Sequence, residues 1–545
     1  MRTLIKRIDL FGNFLNFAII FPNKLTMNRI FQFSMILLAA LTLAASCEKE
    51  PQIPVTPPSH STEQDKKKAE EEAEKKRIEQ LIAGDKDYDA KLSLLKMYGD
   101  GGSGFTPYYY WYTAVADRNA QLKPYEYGSI YNWFDALLYT PTDRWSWMMD
   151  KETYVAMETG GSTGPSGTWG VSLVQPVEEF NDYRLFILEV MPGSPFEEFG
   201  VTRGAQFMGI GDLEIPEGFK KQAQIDQFNE YYGQSPMNFT FRLVDGRDTS
   251  FTAEMAIDLR TNYILKTDIF TEEDFPGLTE PVGYFHYLSF NANFLDDVKR
   301  EMAGFKDAGV KKLIVDLRYN GGGDSRASDL LMSYLAPPDA GGKPYVIRKY
   351  NSLIAGQDVD TIPAGNSLGL DEVFFIMHES SASASEMTYN GLRPYLKDKL
   401  HHVGGQSYGK PNGMYVFYYP SDDDTYDRVA AGDYSTLKYV FLPICFYNFN
   451  SDGEGIPSTS ESESGFTPEY SVYDDIYHDF GPKEANVKAC LNYIVNGSFE
   501  SADGEPAQTK ASVGGGGIKA IFSEAETNPH YGTCTRPLPK EFRKQ

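Results

Sequence analysis

The stretch Leu313-Ile-Val-Asp-Leu-Arg-Tyr-Asn-Gly-Gly-Gly323 joins an apolar run to a cluster of glycines. A short apolar run that ends in turn-forming residues is typical of a strand buried on both faces of a parallel sheet. The flanking sequence predicts two more buried strands, at 283–288 and 373–377, and helices at 294–308, at 325–335 and from about Ala384. Strands that alternate with helices predict an α/β core over about residues 275–500.

Two polar motifs accompany this stretch. Ser381-Ala-Ser-Ala-Ser-Glu386 follows the predicted strand at 373–377, and Gly405-Gln-Ser-Tyr-Gly-Lys410 lies in a loop-like segment. A serine is a weak nucleophile until a base removes its proton, and a lysine can be that base when burial lowers its pKa. Backbone N–H groups at a helix start and at a glycine turn can stabilise the oxyanion that forms. The three motifs therefore predict a Ser–Lys hydrolase.

Together the three motifs resemble the C-terminal processing (tail-specific) serine peptidase family. The family pattern is Asp-Leu-Arg-x-Asn-x-Gly-Gly, then Ser-Ala-Ser-Ala-Ser-Glu, then Thr-x-Gly-Lys. The resemblance covers about residues 165–497 and implies a ClpP/crotonase-like α/β catalytic core that needs no cofactor and cleaves polypeptides with accessible C-terminal tails. The site residues that it implies are the nucleophile Ser383, the general base Lys410, the oxyanion-hole residues Ala384 with Gly322 or Gly323, and the supporting carboxylate Glu386.

Three positions depart from the family pattern. Ser407 stands where the family usually has Thr, Met414 stands where members often have Gln, and Pro394 stands where some have Asp. These departures motivate a second hypothesis, a non-catalytic peptide-binding lipoprotein on the same scaffold. A histidine triad through His378 is a further alternative, although His378 is more simply the end of a buried strand.

Residues 165–257 have a different pattern, with short β-type runs separated by turn residues. Within them, 191–211 resembles a PDZ domain, although Phe196 replaces the usual Ala. The resemblance implies that an extended peptide adds to a sheet edge, with its C-terminal carboxylate near the loop Trp169-Gly170-Val171. The alternative is a small β-domain without a ligand.

The N-terminus predicts the compartment. Residues 35–45 form a short apolar run with Arg29 before it, which is typical of a secretory signal. Leu43-Ala-Ala-Ser-Cys47 resembles a bacterial lipobox, which implies that Cys47 is acylated; the alternative is an ordinary signal with an incidental cysteine. We expect a signal at 1–46, with 27–46 its true extent. The exported protein is then lipid-anchored in the cell envelope, on the periplasmic or surface side of the outer membrane.

The remaining segments are predicted from composition. Residues 47–84 read as a proline-containing tether and a charged helix, and 85–160 as an aromatic-rich helical domain. Buried packing explains such aromatic clusters best, with a stacking surface for sugars or bases as the alternative. Residues 501–545, with Gly514–Gly517, are expected to be a weakly structured C-terminal tail.

Charge and motif content exclude several functions. The 545 residues carry 76 acidic and 51 basic side chains, a net charge of −25 that repels nucleic acid. Residues 421–480 hold thirteen acids and two bases, which suggests basic polypeptide substrates. Pro411 disrupts the P-loop-like Gly404–Lys410, and no metal-site motif is present, so we expect no metal. Beyond Cys47, at most one disulfide can form among Cys445, Cys490 and Cys534.

Overall fold

The structure is a computed structural model, and it describes residues 63–98, 108–159, 168–175, 184–256, 259, 263–354, 356–458, 464–499, 519–522 and 534–537. The predicted signal and Cys47 lie outside the described residues. The chain divides into two units, with the boundary between Arg77 and Ile78. Residues 63–77 of the first unit are helical, and everything below concerns the second unit unless stated otherwise.

Eleven helices occur in the described part of the chain, short 3-10 turns aside: α1 (Glu63–Gly84), α2 (Tyr88–Tyr98), α3 (Tyr112–Asn119), α4 (Ile130–Leu137), α5 (Lys151–Thr159), α6 (Gln222–Tyr232), α7 (Leu295–Asp307), α8 (Ser325–Leu335), α9 (Ala384–Leu396), α10 (Asp423–Ala430) and α11 (Ala485–Asn496). The strands described are β1 (Trp147–Asp150), β2 (Val171–Gln175), β3 (Leu185–Val190), β4 (Gln206–Ile210), β5 (Leu213–Glu214), β6 (Met237–Arg242), β7 (Asp248–Ala253), β8 (Ile264–Phe270), β9 (Val282–Tyr287), β10 (Lys312–Asp316), β11 (Gly323–Asp324), β12 (Pro344–Lys349), β13 (Gln357–Thr361), β14 (Glu372–Met377), β15 (Leu400–Gly404), β16 (Asn412–Tyr419), β17 (Tyr439–Leu442), β18 (Ile444–Phe449), β19 (Tyr470–Ser471), β20 (Lys519–Phe522) and β21 (Cys534–Pro537).

A six-stranded sheet, in the order β19-β15-β14-β10-β9-β8, forms the centre of the α/β core. All neighbouring pairs are parallel except β8 with β9. Alternate side chains enter two different cores: Phe375 packs with α7, α8 and α9 on one face, whereas Phe374 and Ile376 pack with α11 on the other. Burial on both faces explains why these strands are nearly continuous apolar runs. The predicted α/β class is confirmed.

The helices of this core form where apolar periodicity and end signals agree. On α7, Val298, Met302 and Phe305 are buried at helical spacing. Asp324 caps the start of α8 by accepting a hydrogen bond from the Arg326 N–H at 2.7 Å. Gly497 ends α11 in the left-handed conformation, at φ +69°.

A second sheet, in the order β1-β17-β16-β18-β12-β13, carries the aromatic residues of the N-terminal region. Tyr108 packs against Tyr415 and Phe417 of β16, with ring centroids 5.9 and 6.1 Å apart. Tyr109 and Trp133 are also fully buried in this shared core. These rings therefore stabilise the joint between the helices α2–α5 and the sheet, as the packing interpretation expects.

The third sheet, in the order β20-β2-β3-β4-β6-β7 with β5 on β4, is the predicted PDZ-like region. Its core is aromatic. The ring centroids of Trp169 and Phe196 each lie 4.7 Å from the ring centroid of Phe239. Phe196, which replaces the family's small residue, fills this core at 0% exposure.

Other features of the described residues concern the C-terminal strands, the cysteines, membrane spans and metal ions. The sequence predicts little structure in 501–545, whereas β20 and β21 of this tail join two different sheets. Cys445 and Cys490 are both buried free thiols. Within the described ranges, no helix has the length and apolar character needed to cross a bilayer. The same ranges contain no group of three or more His, Cys, Asp or Glu suited to a metal ion.

The buried ring of His402 on β15 predicts an acid-sensitive stability. Burial lowers the pKa of His402 from 6.5 to about 3. Below pH 6.5 the His402 ring therefore binds a proton in the unfolded chain but not in the folded protein. The free energy of unfolding falls as the pH is lowered toward 3. We expect His402→Leu to make this fall shallower by up to about 1.4 kcal/mol per pH unit, measured by urea unfolding at pH 7, 6, 5 and 4. Equal slopes in the two proteins would contradict the prediction.

Candidate active site

Ser383 lies at the turn between β14 and α9 in a strained backbone conformation. Its φ is +59° and its ψ is −105°, a region that side-chain-bearing residues rarely adopt. The residue is 1% exposed, and its Oγ makes no hydrogen bond to any described residue, Lys410 included. A buried hydroxyl without a partner, held at a strained turn beside a helix N-terminus, is a feature of functional sites more often than of packing.

The Glu386 carboxylate joins this turn to the segment that carries Lys410. One of its oxygens, Oε2, accepts hydrogen bonds at 2.9 Å from the backbone N–H groups of both Ser383 and Lys410. The other, Oε1, accepts at 2.6 Å from the Gly409 N–H and from the Ser407 hydroxyl. Because Ser383 and Lys410 share one acceptor atom, their backbone nitrogens are no farther apart than twice 2.9 Å.

Burial raises the pKa of Glu386 above its ordinary value, and the four hydrogen bonds oppose that rise because each stabilises the ionised form. All four donors point at carboxylate oxygens, which is the geometry of a charged acceptor. Glu386 is the centre around which the two segments are arranged.

Lys410 is 0% exposed. Just before it, the backbone of residues 407–409 passes close to the backbone of residues 464–466. The Ser407 Oγ also accepts a hydrogen bond from the Phe466 N–H at 2.7 Å, and the Ser407 N–H donates to the Phe466 carbonyl at 3.1 Å. At Gly409 and Gly465, both with positive φ, a Cβ would overlap the opposing backbone. The serine that replaces the family's threonine therefore retains a hydroxyl that binds two neighbours.

Asn320 fixes the glycine loop against the serine turn. Its Nδ2 donates to the Tyr287 carbonyl at 2.7 Å and its Oδ1 accepts from the Gly322 N–H at 2.9 Å. Its own carbonyl accepts from the Ala382 N–H at 3.1 Å and from the Ser385 Oγ at 2.9 Å. Asn320 thus positions the loop and the turn together, although the sequence reading assigned it no role beyond its place in the motif.

The predicted oxyanion donors differ in their availability. Ala384 is the first residue of α9, so its N–H has no partner within the helix ladder. The Gly322 N–H is already committed to Asn320. At Gly323, φ is +136° and a Cβ would overlap the Phe290 carbonyl, so glycine is required there. Position 323 therefore fits only glycine, and Gly323 pairs with Cys534 of β21.

Beneath the glycine loop lies a largely buried ion-pair network. Arg318 contacts Asp316 at 2.6 Å, Glu484 at 2.8 Å and Asp474 at 2.9 Å. Burial alone would raise the pKa of Asp474, but Arg203 and Arg318 hold it at about 2. The network anchors the strand end from which the loop starts.

The same network reaches the PDZ-like sheet. Arg203, which precedes β4, contacts Asp474 at 2.8 Å and donates to the Leu188 carbonyl at 2.7 Å. It also donates to the Tyr319 hydroxyl at 3.1 Å, and that hydroxyl in turn donates to Asp474. A charged contact therefore connects β3 and β4 with the residue that follows Arg318.

The predicted peptide-binding residues lie at the start of β2. Trp169 is buried in the aromatic core, where its Nε1 donates to the Tyr232 carbonyl at 2.8 Å. Gly170 has φ +64°, and its N–H donates to the Thr168 Oγ1 at 3.0 Å. Val171 begins β2 and pairs with Val190. Of the three, Trp169 acts in packing, while Gly170 and Val171 provide the backbone of the strand edge.

Three residues weighed in the sequence have other surroundings. The ring of His378 faces Asn486 of α11, with Nε2 3.5 Å from Oδ1. Pro394 lies in the last turn of α9, and Met414 is fully buried in the aromatic core of the second sheet. Of these three residues, only His378 is a candidate proton acceptor, and its ring contacts Asn486 on α11.

An α/β core with an unbonded serine at a strained strand-to-helix turn is the architecture of a serine hydrolase. Residues 281–440, which include Ser383 and Lys410, match the family model described as Peptidase family S41. This match over residues 281–440 supports a serine-type peptidase.

The chain is similar to solved structures. A candidate S41 protease from Bacteroides fragilis is 19% identical, with a TM-score of 0.54, over 74% of this chain and 96% of that chain. The photosystem II D1 C-terminal processing protease is 16% identical, with a TM-score of 0.38, over 72% of this chain and 93% of that chain. Comparison with curated proteins gives no match.

Glu386→Gln tests how the two segments are held together. An amide retains one acceptor oxygen but turns N–H groups toward donors, so about two of the four hydrogen bonds are lost. We expect kcat for a peptide substrate to fall roughly 10- to 100-fold with little change in KM, since hydrogen bonds to charged groups contribute about 1.5–3 kcal/mol. The exposed Glu379→Gln is the control, and an unchanged kcat in Glu386→Gln would contradict the assigned role.

Proposed function

We propose that the protein is an envelope-anchored serine endopeptidase that captures polypeptide C-terminal tails on its PDZ-like sheet and cleaves with a Ser–Lys dyad. The observation that carries the proposal is the shared Glu386 oxygen, which brings the backbones of Ser383 and Lys410 together. Burial of Lys410 supports its role as a base, because desolvation disfavours the ammonium form. Acylation of Cys47 would supply the anchor.

The proposed reaction begins with attack of the Ser383 Oγ on the scissile carbonyl while the Lys410 amine takes the hydroxyl proton. The N–H groups of Ala384 and Gly323 stabilise the resulting oxyanion, assisted by the positive end of the α9 dipole. Lys410 then returns the proton to the leaving amine, which leaves an acyl-enzyme on Ser383. Water, deprotonated by Lys410, hydrolyses the ester and restores both residues.

A second candidate is the non-catalytic peptide binder on the same scaffold. The observation that favours it is the missing hydrogen bond from the Ser383 Oγ to Lys410. Hydrogen bonds in substrate-free sites often form only when the substrate binds, so the endopeptidase remains our proposal.

Covalent labelling separates the two candidates. We expect a serine-reactive fluorophosphonate to add one label, and mass spectrometry of a peptide digest to locate it on Ser383. The Ser383→Ala protein is the matched control and should stay unlabelled. A protein that acquires no label at Ser383 and cleaves no peptide in a parallel digest would support the binder and reject the peptidase.

A further inference from the structure

The C-terminal stretch after α11 returns to the fold at two places. β20 adds to the outer edge of β2, and β21 lies between β11 and β16. We propose that β20 and β21 are a built-in competitor, which occupies both ends of the path of an extended substrate from the PDZ-like sheet to the serine. The identity of the displaced ligand as a substrate rests on the proposed function, whereas occupancy of the two edges does not.

At the PDZ-like end, β20 takes the position of a bound peptide. The two strands are antiparallel, with Leu173 opposite Phe522 and Gln175 opposite Lys519. Without β20, β2 would be the outermost strand, and its unpaired N–H and C=O groups would accept an extended peptide. From Lys519 to Phe522 the chain runs toward Gly170. A bound tail needs this edge and this direction to present its C-terminal side to that loop.

At the catalytic end, β21 pairs with backbone next to the serine site. It is parallel to β11, with Cys534 opposite Gly323, and parallel to β16, with Thr535 opposite Met414. Gly323 is one of the two glycines predicted to supply an oxyanion donor, and β16 begins two residues after Lys410. A substrate carbonyl has to approach this glycine loop, so a strand paired with Gly323 stands in its way.

The segment between β20 and β21 is long enough to connect the two strands. Eleven residues separate Phe522 from Cys534, and at roughly 3.3–3.6 Å per residue they can bridge up to about 40 Å.

An occupant tethered in this way weakens binding of any external peptide. The apparent dissociation constant rises by the inverse of the fraction of time for which the path is open. A tail bound nine-tenths of the time therefore weakens external binding about tenfold, and loss of strand pairing restores it.

The test breaks β20 in the full chain by the double change Ala520→Pro with Ile521→Pro, because proline removes the N–H groups that a ladder needs. The matched control is Ala511→Pro with Ser512→Pro, which lies outside both strand ranges. In a Ser383→Ala background, a fluorescein-labelled synthetic peptide of residues 519–537 is titrated and followed by anisotropy. We expect about tenfold tighter binding to the β20 variant than to the control.

Amide hydrogen exchange measures the protection of the same β2 edge and does not require cleavage of a substrate. Amides of Val171–Gln175 should exchange faster in the β20 variant than in the control, and the added peptide should protect them again. Deletion of 501–545 is the second variant and should reproduce both effects. Equal peptide affinities in variant and control overturn the proposal, as does a lower thermal midpoint without tighter binding, which assigns β20 to structure alone.

The outcome is independent of the peptidase proposal. Tighter peptide binding in a protein that cleaves nothing leaves the competitor in place and rejects the endopeptidase. Where the protein with intact Ser383 does cleave, the β20 variant should lower KM by the same factor with kcat unchanged.

Discussion

Replacing Ser383 by alanine is expected to lower kcat/KM for a peptide substrate by about four to six orders of magnitude. The Oγ is the atom that forms the acyl-enzyme, and no other described hydroxyl occupies the strained turn at φ +59°. Lys410→Met should cost a similar factor, because methionine fills the same buried volume but accepts no proton. Initial rates on a quenched fluorescent peptide measure both effects.

The double variant makes the prediction sharper. Residues that act as one unit give non-additive losses, so Ser383→Ala with Lys410→Met should be no slower than either single variant. If the two losses multiply instead, the residues act independently and the dyad is rejected.

Matched controls come from the same segments. The Ser385 hydroxyl is committed to the Asn320 carbonyl at 2.9 Å, so Ser385→Ala should lose about tenfold at most. Lys399→Met removes an exposed lysine just beyond α9 and should leave the rate unchanged. A Ser385→Ala loss as large as that of Ser383→Ala would place the nucleophile in doubt.

Local sequence predicted the elements whose signals lie within one segment. The helix expected at 325–335 is α8, with the same bounds, because Asp324 caps it and its apolar residues have helical spacing. The strand expected at 313–317 is β10, one residue earlier at both ends. The loop-like segment before Lys410 follows a strand that the sequence reading missed, since His401 and His402 make β15 look polar.

The contacts that build the site could not be predicted in this way. Glu386 was expected to order its loop, but its bonds to Ser407, Gly409 and Lys410 span 21 to 24 residues. Arg318 and Glu484 are 166 residues apart, and no local pattern pairs a motif arginine with the cap of a distant helix. Pairings of this range depend on how the helices and sheets pack, which periodicity does not encode.

Arg318→Met is expected to have the largest effect on stability. The substitution leaves the Asp316 and Glu484 carboxylates buried without the guanidinium that compensates them, and Asp474 keeps only its contact with Arg203. Removing one partner of a buried ion pair lowers the free energy of unfolding by about 3–5 kcal/mol, since the remaining charge has neither water nor a counter-ion. Urea unfolding at pH 7 should show this loss. Arg300→Met, which removes exposed ion pairs on α7, should change the midpoint very little.

The pH dependence of the same pair of proteins tests the cause. In the parent, the lowered pKa values of Asp316 and Asp474 contribute stability that is fully present above about pH 4 and is lost as the pH falls toward 2. Arg318→Met lacks that contribution, because its carboxylates can protonate without losing a partner. The stability difference between parent and variant should therefore shrink between pH 5 and pH 3. A difference that stays constant over this range would mean that the loss comes from packing around the guanidinium and not from its charge.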